Sequence, residues 1–465
     1  MQNLELHNLT ALSPIDGRYS QKSNIVDLRD YMSEFGLIKY RVIVEIAWLK
    51  FLSELEGVSQ LKPFNKQIKQ SLNKVIENFS VNDALEVKNI EAETNHDVKA
   101  IEYFLIKKLS SIGIENKDLP FIHFACTSED INNLSYALML KEVRENILAT
   151  SFNNLILQIN SRAEKYSGIA MLSRTHGQSA TPTTIGKEFS IYSYRLHKQL
   201  DKFNNIQIYG KMNGAVGNYN AHNIAYPNIN WPEVTKKFIE TFGILQATHT
   251  TQIEAHDWMA EYMQSIIRFN TVSIDLCQDM WSYISLGYFK STVNKKEVGS
   301  STMPHKVNPI DFENAEGNFG LSNSNLVFLS NKLPQSRWQR DLTDSTCLRN
   351  LAVGISHSLI AVQSCLVGIN KLEPNTELIA SDLENNYELL AEAIQTVMRK
   401  HNILGAYEQL KELTRGKKVT QTEIRNFINS IDGLPSNDKQ ILSSLSPKDY
   451  IGLAAKLACS VKVEK

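Results

Sequence analysis

Residues 130–166 read DINNLSYALMLKEVRENILATSFNNLILQINSRAEKY and contain neither Gly nor Pro. Residues 187–209, 258–286 and 355–367 are also free of both residue types. The longest of these segments exceed the 3 to 10 residues usual for a β-strand and predict helices of about 30 Å or more. Strand-like alternation is nearly absent elsewhere. The sequence therefore predicts an all-α protein.

An uncharged segment, residues 350–370, needs a separate explanation. A membrane-spanning helix should be predominantly apolar over about 20 residues. Several polar residues interrupt this segment, namely Ser356, His357, Ser358, Gln363 and Ser364. We predict a helix buried inside a bundle, because a helix surrounded by other helices needs no charged face.

The charge balance excludes one class of function. The 465 residues include 49 Lys and Arg and 50 Asp and Glu, which gives a net charge of -1. A protein that binds nucleic acid independently of sequence needs a basic surface. We therefore expect no nucleic-acid partner, and we expect any anionic ligand to be held by a few basic residues.

The cysteines and the first residues bear on location. Five scattered cysteines form no C-x-x-C pair, which is typical of a reduced protein with structural thiols. Residues 1–10 include Glu5 and no apolar run of the kind found in a signal peptide. We expect a cytoplasmic protein without a membrane segment.

Changes in segment length divide the chain. From about residue 373 the segments shorten and the charge density rises. We predict an N-terminal helical domain (1–115), a central long-helix bundle (116–372) and a C-terminal helical domain (373–465). Gly and Pro cluster between the long segments at 177–186, 210–227 and 299–309, and loops on rigid scaffolds commonly carry function.

The segment GSSTMPHKVNP, residues 299–309, is the first candidate for chemistry. We expect it to lead into a helix near Asp311. Ser300 could act as a base if Lys306 and backbone N–H groups stabilised its alkoxide. The alternative is a flexible surface connection, and composition alone leaves both interpretations open.

Four further segments combine polar side chains with a predicted helix end or turn. They are SRTHGQ (173–178), TNHDVK (94–99), CTSEDINN (126–133) and SPIDGRY (13–19). His176 has a side chain suited to acid–base work near neutrality, although a lone His is often structural. Thr94 or Asn95, and Thr127 or Ser128, could instead be helix caps.

An arginine-rich segment, RWQRDLTDS (337–345) followed by Arg349, suggests a phosphate or carboxylate clamp. A solvated charged turn is the alternative. Glu254, His256 and Asp257 lie close in sequence but lack the ligand spacing of a zinc site. There is no glycine-rich dinucleotide motif and no P-loop, so we expect neither a metal ion nor a cofactor.

Together these segments resemble the fumarase/aspartase superfamily, whose signature loop is matched by Gly299, Ser300, Met303, Lys306 and Asn308. Within it, the chain resembles the bacterial-type adenylosuccinate lyase family. The runs that carry this likeness are SPIDGRY (13–19), TNHDVKAIEYF (94–104), FIHFACTSEDINNLS (121–135), SRTHGQ (173–178), KMNGAVGNYNAH (211–222), TQIEAHD (251–257), GSSTMPHKVNPIDFEN (299–314) and SRWQRDLTDSTCLRN (336–350). The last hundred residues match more weakly, through YEQLKELTRGKKV (407–419).

The resemblance implies three helical domains and a homotetramer whose central helices form a 20-helix core. Active sites would be built from three subunits. The implied lyase reaction is β-elimination of fumarate from two purine-biosynthesis substrates: adenylosuccinate, giving AMP, and the succinyl-carboxamide ribotide SAICAR, giving AICAR.

The resemblance also implies residue roles. Ser300 would be the base and His176 the acid, with His96 supporting His176. Lys306 and Asn308, helped by Thr127 and Ser128, would hold the succinyl carboxylates. The phosphate end would be held by Arg18, Tyr19, Arg340, Ser345 and Arg349, and further substrate contacts would come from Asn95, His96, Asp97, Gln252, Ser301, Val307, Asn314 and Thr346.

One departure and two alternatives remain. Ser179 stands where many family members have Pro, which affects loop stiffness rather than the acid. The chain could be a sister enzyme such as argininosuccinate lyase or aspartase, although the arginine-rich segment favours a phosphate-bearing substrate. It could also be an inactive helical scaffold, which the intact Ser300, His176, Lys306 and Asn308 argue against.

Overall fold

The computed structural model describes residues 7–291, 303, 307–416 and 418–462. These residues are mainly helical, as the sequence predicts. The helices are α1 (Ser23–Met32), α2 (Glu34–Glu54), α3 (Lys66–Glu77), α4 (Val81–Thr94), α5 (Asp97–Ser111), α6 (Ser128–Val143), α7 (Ala149–Lys165), α8 (Ile185–Asn204), α9 (Asn220–Ala225), α10 (Trp231–Glu240), α11 (Asp257–Ser285), α12 (Ile310–Lys332), α13 (Thr343–Leu348), α14 (Leu351–Lys371), α15 (Thr376–Glu384), α16 (Ala391–Lys400), α17 (Ala406–Thr414), α18 (Gln421–Ser430), α19 (Ser436–Ser444) and α20 (Ala454–Ala458).

Short strands form three two-stranded pairs in the described chain. They are β1 (Ala170–Thr175) with β2 (Gln178–Thr184), β3 (Tyr209–Gly210) with β4 (Leu245–Gln246), and β5 (Phe289–Ser291) with β6 (Leu372–Pro374). The first and third pairs are antiparallel and the second is parallel. None is large enough to form a core, so the all-α prediction is confirmed.

The long segment 130–166 forms α6 and α7 with a π-helical turn, Arg144–Leu148, between them. The amide of Ala149 donates to the carbonyl of Arg144, which is the wider hydrogen bond of a π turn. Segment 258–286 is likewise helical as α11. Segment 187–209 is helical only to Asn204, because Tyr209 pairs with Leu245 instead.

The chain divides into two compact units. Unit 1 comprises residues 1–151, 200–270 and 318–361, and unit 2 comprises residues 152–199, 271–317 and 362–465. In unit 1, α2 packs against α6 and α4 packs against α5. Val42, Trp48 and Leu134 are fully buried there. This packing surrounds the start of α6 with core side chains.

Unit 2 combines helix packing with a small C-terminal core. Ser193 on α8 donates to Asn160 on α7 at 3.2 Å. Gly368 on α14 allows a close approach to α12, since an added Cβ would lie 2.9 Å from the Phe312 ring. Leu390, Ile394, Met398, Ile424 and Ile428 belong to one buried cluster of the last hundred residues.

The uncharged segment lies in α14, as predicted. Residues 343–371 are long enough to span a membrane and contain an 18-residue apolar window with a mean hydropathy of 1.7. However, 72% of that apolar window is already buried inside the protein. A core helix of a bundle has this property, and it accounts for the missing charges without a bilayer.

Candidate active site

A chain of charged and amide side chains connects three of the predicted segments inside unit 1. Arg41 on α2 lies 2.7 Å from Asp97 on α5 and donates to Asn132 on α6 at 2.8 Å. The Asn132 amide donates to Glu129 at 2.8 Å, and Arg340 contacts the same Glu129 oxygen at 2.8 Å. The structure thereby brings the segments around 97, 129 and 340 together.

The network continues from Arg340 into α13. Its guanidinium lies 3.7 Å from Asp344, whose other oxygen is 3.6 Å from His256 Nε2. His256 is buried between Asp344 and Glu254, whose carboxylate is 3.8 Å from Nδ1. The segment around 254–257 therefore joins the same cluster.

Arg349 closes the network on its exposed side. Its guanidinium donates to the carbonyl and hydroxyl oxygens of Ser345, both at 2.8 Å. It also lies 3.7 Å from Asp97. Two predicted phosphate contacts thus touch each other and a predicted substrate contact.

The neighbouring cations control two of these carboxyl groups. Burial favours the neutral form of Asp97, but Arg41 and the Val98 amide outweigh burial and hold its pKa below the usual value. Burial likewise opposes ionisation of Asp344, and the facing His256 and Arg340 hold its pKa low. Both carboxylates are therefore charged partners for the arginines near neutral pH.

The residue that caps the start of α5 is neither Thr94 nor Asn95, the two candidates offered by the sequence. That expectation is wrong: α4 ends at Thr94, and Asn95 follows it in the left-handed region with φ 52°. His96 is the N-cap, and its Nδ1 accepts a hydrogen bond from the Lys99 amide at 3.1 Å. Asn95 and His96 remain exposed.

The start of α6 is confirmed as a capped terminus. Thr127 is the N-cap, and its amide donates to Asp130 at 2.8 Å. Thr127 and Ser128 are half-buried. The positive end of a helix dipole favours an anion, in keeping with the expected carboxylate contact.

The remaining predicted contacts of unit 1 lie on two irregular segments and on helix α13. In the turn at 13–19, the Tyr19 amide donates to Pro14 at 2.9 Å, and Arg18 is exposed. The Gln252 side-chain amide donates to the Ala215 carbonyl at 3.0 Å. Thr346 on α13 is exposed.

Unit 2 presents His176 at the tip of a β-hairpin. Thr175 pairs with Gln178, and the two residues between them, His176 and Gly177, have φ of 55° and 73°. Positive φ at both positions is the pattern of a type I′ turn. The segment lies between α7 and α8, as the sequence predicts, but it forms a β-hairpin, which was not predicted, and the His176 side chain is exposed.

An ion pair supports the hairpin below its tip. Arg174 on β1 lies 2.7 Å from Asp382 on α15, and the Tyr288 hydroxyl also donates to Asp382. The polar contacts therefore hold the strand beside the turn and leave the His176 ring in solvent.

The signature loop is described only in part. Ser300, Ser301 and Lys306 lie outside the described residues. Val307 is exposed and Asn308 is half-buried just before α12, which begins at Ile310 as expected. In the first turns of α12, Asn314 accepts a hydrogen bond from Ser364 at 2.8 Å.

Sequence similarity to known proteins extends over almost the whole chain. A family model described as lyase matches residues 22–320, and one described as adenylosuccinate lyase C-terminal matches residues 336–451. The adenylosuccinate lyase of Haemophilus influenzae is 51% identical over 98% of this chain and 99% of that protein. The chain belongs to the adenylosuccinate lyase family. It is a lyase of the fumarase/aspartase superfamily.

Other relatives agree with this assignment. The adenylosuccinate lyase of Escherichia coli strain K12 is 50% identical over 99% of this chain and all of that protein. Two solved structures share the fold at low identity. A fumarate lyase from Mesorhizobium sp. BNC1 has a TM-score of 0.72 at 14% identity, covering 93% of this chain and 96% of that one. A 3-carboxy-cis,cis-muconate lactonizing enzyme from Pseudomonas putida has a TM-score of 0.71 at 16% identity, covering 93% and 95%.

In this adenylosuccinate lyase family member, the structure places in the network several residues to which the sequence analysis assigned no contact. Arg41, Asn132, Glu129, Asp344 and His256 connect the predicted contacts. Arg41 had a detectable signal, because it and Glu45 are charged residues four positions apart in a helix whose other buried residues are mainly apolar. A charged residue on a core face usually has a buried partner.

No metal site competes with this interpretation in the part of the chain that the structure describes. No three or more His, Cys, Asp or Glu side chains there are grouped so that they could hold a metal ion. In particular, His256 lies between the carboxyl groups of Glu254 and Asp344, at 3.8 Å and 3.6 Å.

Proposed function

We propose that this chain eliminates fumarate from adenylosuccinate, giving AMP, and from SAICAR, giving AICAR, with Ser300 as general base and His176 as general acid. The observation that carries the proposal is the near-full-length similarity, about 50% identity, to curated adenylosuccinate lyases. The connected network of predicted contacts in unit 1 supports it.

The reaction explains why these residue types are needed. A base must remove a weakly acidic proton beside a carboxylate, and the resulting carbanion spreads its charge into that carboxylate. Hydrogen-bond donors and cations placed there stabilise the charge, which is the proposed role of Lys306 and Asn308. Thr127 and Ser128 would assist, because they lie at the capped N-terminus of α6.

The departing nitrogen must then gain a proton. His176 is suited to deliver it, because the hairpin turn leaves its ring accessible to a substrate. We assign His96 a supporting role toward His176, in keeping with its exposed position at the start of α5.

We assign the phosphate end of the substrate to Arg18, Tyr19, Arg340, Ser345 and Arg349. Arg349 keeps 42% of its side chain exposed, whereas Arg340 keeps 16% and already pairs with Glu129. Arg349 is therefore the stronger candidate for a direct phosphate contact, and Ser345 orients it. Asn95, Asp97, Gln252, Ser301, Val307, Asn314 and Thr346 complete the proposed contacts.

We further propose a cytoplasmic homotetramer in which each site draws residues from three subunits, with domains at 1–115, 116–372 and 373–465. Apolar side chains on α12 support an interface. Leu321 is 56% exposed and Phe328 is 58% exposed. Contiguous exposed apolar surface commonly marks an association site.

The direct test is fumarate release by the purified chain supplied with adenylosuccinate or SAICAR. We expect release from both substrates, and no release from either contradicts the proposed reaction. Ser300→Ala should lower turnover by orders of magnitude while the assembly, measured by light scattering, stays intact. Near-normal turnover in that variant would remove Ser300 from the role of base.

A further inference from the structure

Lys211 is a fully buried lysine that the reaction described above does not use. Its side chain and that of Asp130 are both 0% exposed, and Lys211 Nζ lies 3.1 Å from Asp130 Oδ1. The ammonium also donates to the carbonyls of Gln252 at 2.6 Å and Gly214 at 3.0 Å. A buried lysine normally requires such a complete set of acceptors.

Asp130 extends the same contacts in the other direction. Its carboxylate accepts from the amides of Thr127 at 2.8 Å, Asn213 at 3.0 Å and Gly214 at 3.1 Å. The pair therefore joins the N-terminus of α6, the loop that starts at Lys211, and the segment that contains Gln252.

Gln252 is held twice by this arrangement. Lys211 fixes its main-chain carbonyl. Its side-chain amide donates to Ala215, which lies in the loop whose Gly214 is bound by both Lys211 and Asp130. A displacement of Lys211 would consequently move both ends of Gln252.

We propose that Lys211 is a positioning residue for the elimination: with Asp130 it sets Gln252 and the Thr127–Ser128 helix terminus in register for the substrate. The inference rests on the substrate roles proposed for Gln252, Thr127 and Ser128. Lys211 itself makes no substrate contact in this account, because its three donors are already used inside the protein.

The test is a double-mutant cycle that keeps the buried charge balanced, because removing one partner of a buried pair leaves the other charge uncompensated. The paired change Asp130→Asn with Lys211→Met is compared with Gln252→Ala and with the triple variant. We expect the pair and Gln252→Ala each to lower kcat/KM for adenylosuccinate about 10- to 100-fold, mainly through KM.

Coupling distinguishes positioning from simple stabilisation. If Lys211 acts through Gln252, adding Gln252→Ala to the paired variant should lower kcat/KM by less than a further threefold. The proposal is overturned if the loss of kcat/KM in the triple variant equals the product of the losses in the paired variant and in Gln252→Ala. If the wild-type protein is inactive, the proposed function fails. If Gln252→Ala alone has no effect on kcat/KM, the substrate role of Gln252 fails, and with it the positioning role of Lys211.

Lys141→Met is the matched control. Lys141 lies on the same helix α6 and donates to the Phe242 carbonyl at 3.0 Å, away from Gln252. We expect it to lower the thermal midpoint while leaving KM within twofold of wild type. If KM rises as much in this control as in the paired variant, then loss of a lysine contact elsewhere on α6 has the same effect, and the proposal is contradicted.

Lys211→Arg covers the case in which the paired variant does not fold. It keeps the charge but cannot reproduce the three ammonium contacts, so we expect KM to rise about tenfold. The proposal is supported if adding Gln252→Ala to Lys211→Arg raises KM little further. An unchanged KM, or full multiplication, overturns it.

Discussion

Unit 1 and the hairpin of unit 2 present their polar residues in opposite ways. In unit 1, each arginine of the network has a carboxylate partner, and Arg41 and Glu129 are almost completely buried. In the hairpin, Arg174 is paired below the turn while His176 projects into solvent. Under the proposed function, unit 1 would supply paired binding groups, whereas the hairpin would present the proposed acid, His176.

The largest expected effect comes from the hairpin tip. His176→Asn keeps the turn, because Asn followed by Gly is favoured at a type I′ turn. It removes the proton donor, so we expect turnover to fall about 100- to 10,000-fold with an unchanged thermal midpoint. The measurements are fumarate release and thermal unfolding; loss of less than tenfold would exclude His176 as the acid.

The next effect should come from the centre of the network. Arg41→Met removes one hydrogen bond to Asp97 and one to Asn132, whereas Arg349 still lies 3.7 Å from Asp97, so we expect a loss of about 2 kcal/mol in unfolding free energy. Denaturant unfolding measures it.

The matched control is Lys107→Met, which breaks the exposed pair with Glu86. We expect a change of about 0.5 kcal/mol or less there. Equal losses in the two variants would mean that burial of the network contributes nothing.

The pH dependence of stability should reveal the contribution of a paired carboxylate in unit 1. The pKa of Asp97 is lowered by Arg41 and the Val98 amide against the effect of burial. Its stabilising contribution is therefore present above the unfolded pKa of about 3.9 and is lost as the pH falls through the lower folded pKa.

The measurement is the thermal midpoint between pH 3 and pH 6. We expect wild type to lose more stability than Asp97→Asn over the acid part of this range. Asp432→Asn, at an exposed position of the C-terminal region, should follow wild type. Parallel curves for wild type and Asp97→Asn would contradict the assigned role of Asp97.

The smallest effect should come from Gly177→Ala. The added Cβ meets nothing within 4 Å, but φ is 73°, where an L-residue costs about 1 kcal/mol. We therefore expect a thermal midpoint within a few degrees of wild type and a larger relative loss of turnover as the His176 tip shifts. Unchanged turnover would show that the turn conformation does not set the position of His176.

The sequence predicted some features more reliably than others. The long helices followed from long segments without Gly or Pro, as for 258–286 and α11. The hairpin was not predicted, because its strands show no clear alternation and its turn has His where Asn is usual. The cap at His96 was also not predicted, because a ring nitrogen is an uncommon substitute for a Ser, Thr, Asp or Asn oxygen.

The sequence by itself determined the all-α class, the buried character of the 350–370 segment and the residues that we propose for the chemistry. These features depend on the spacing of residues along the chain and on short motifs, both of which can be read from the sequence. Only the tertiary structure decided that Arg41, Glu129 and His256 join the predicted contacts, and that Lys211 pairs with Asp130. The reason is physical: a buried charge takes its partner from whichever segment the packing brings within about 4 Å, and sequence separation carries no record of that distance.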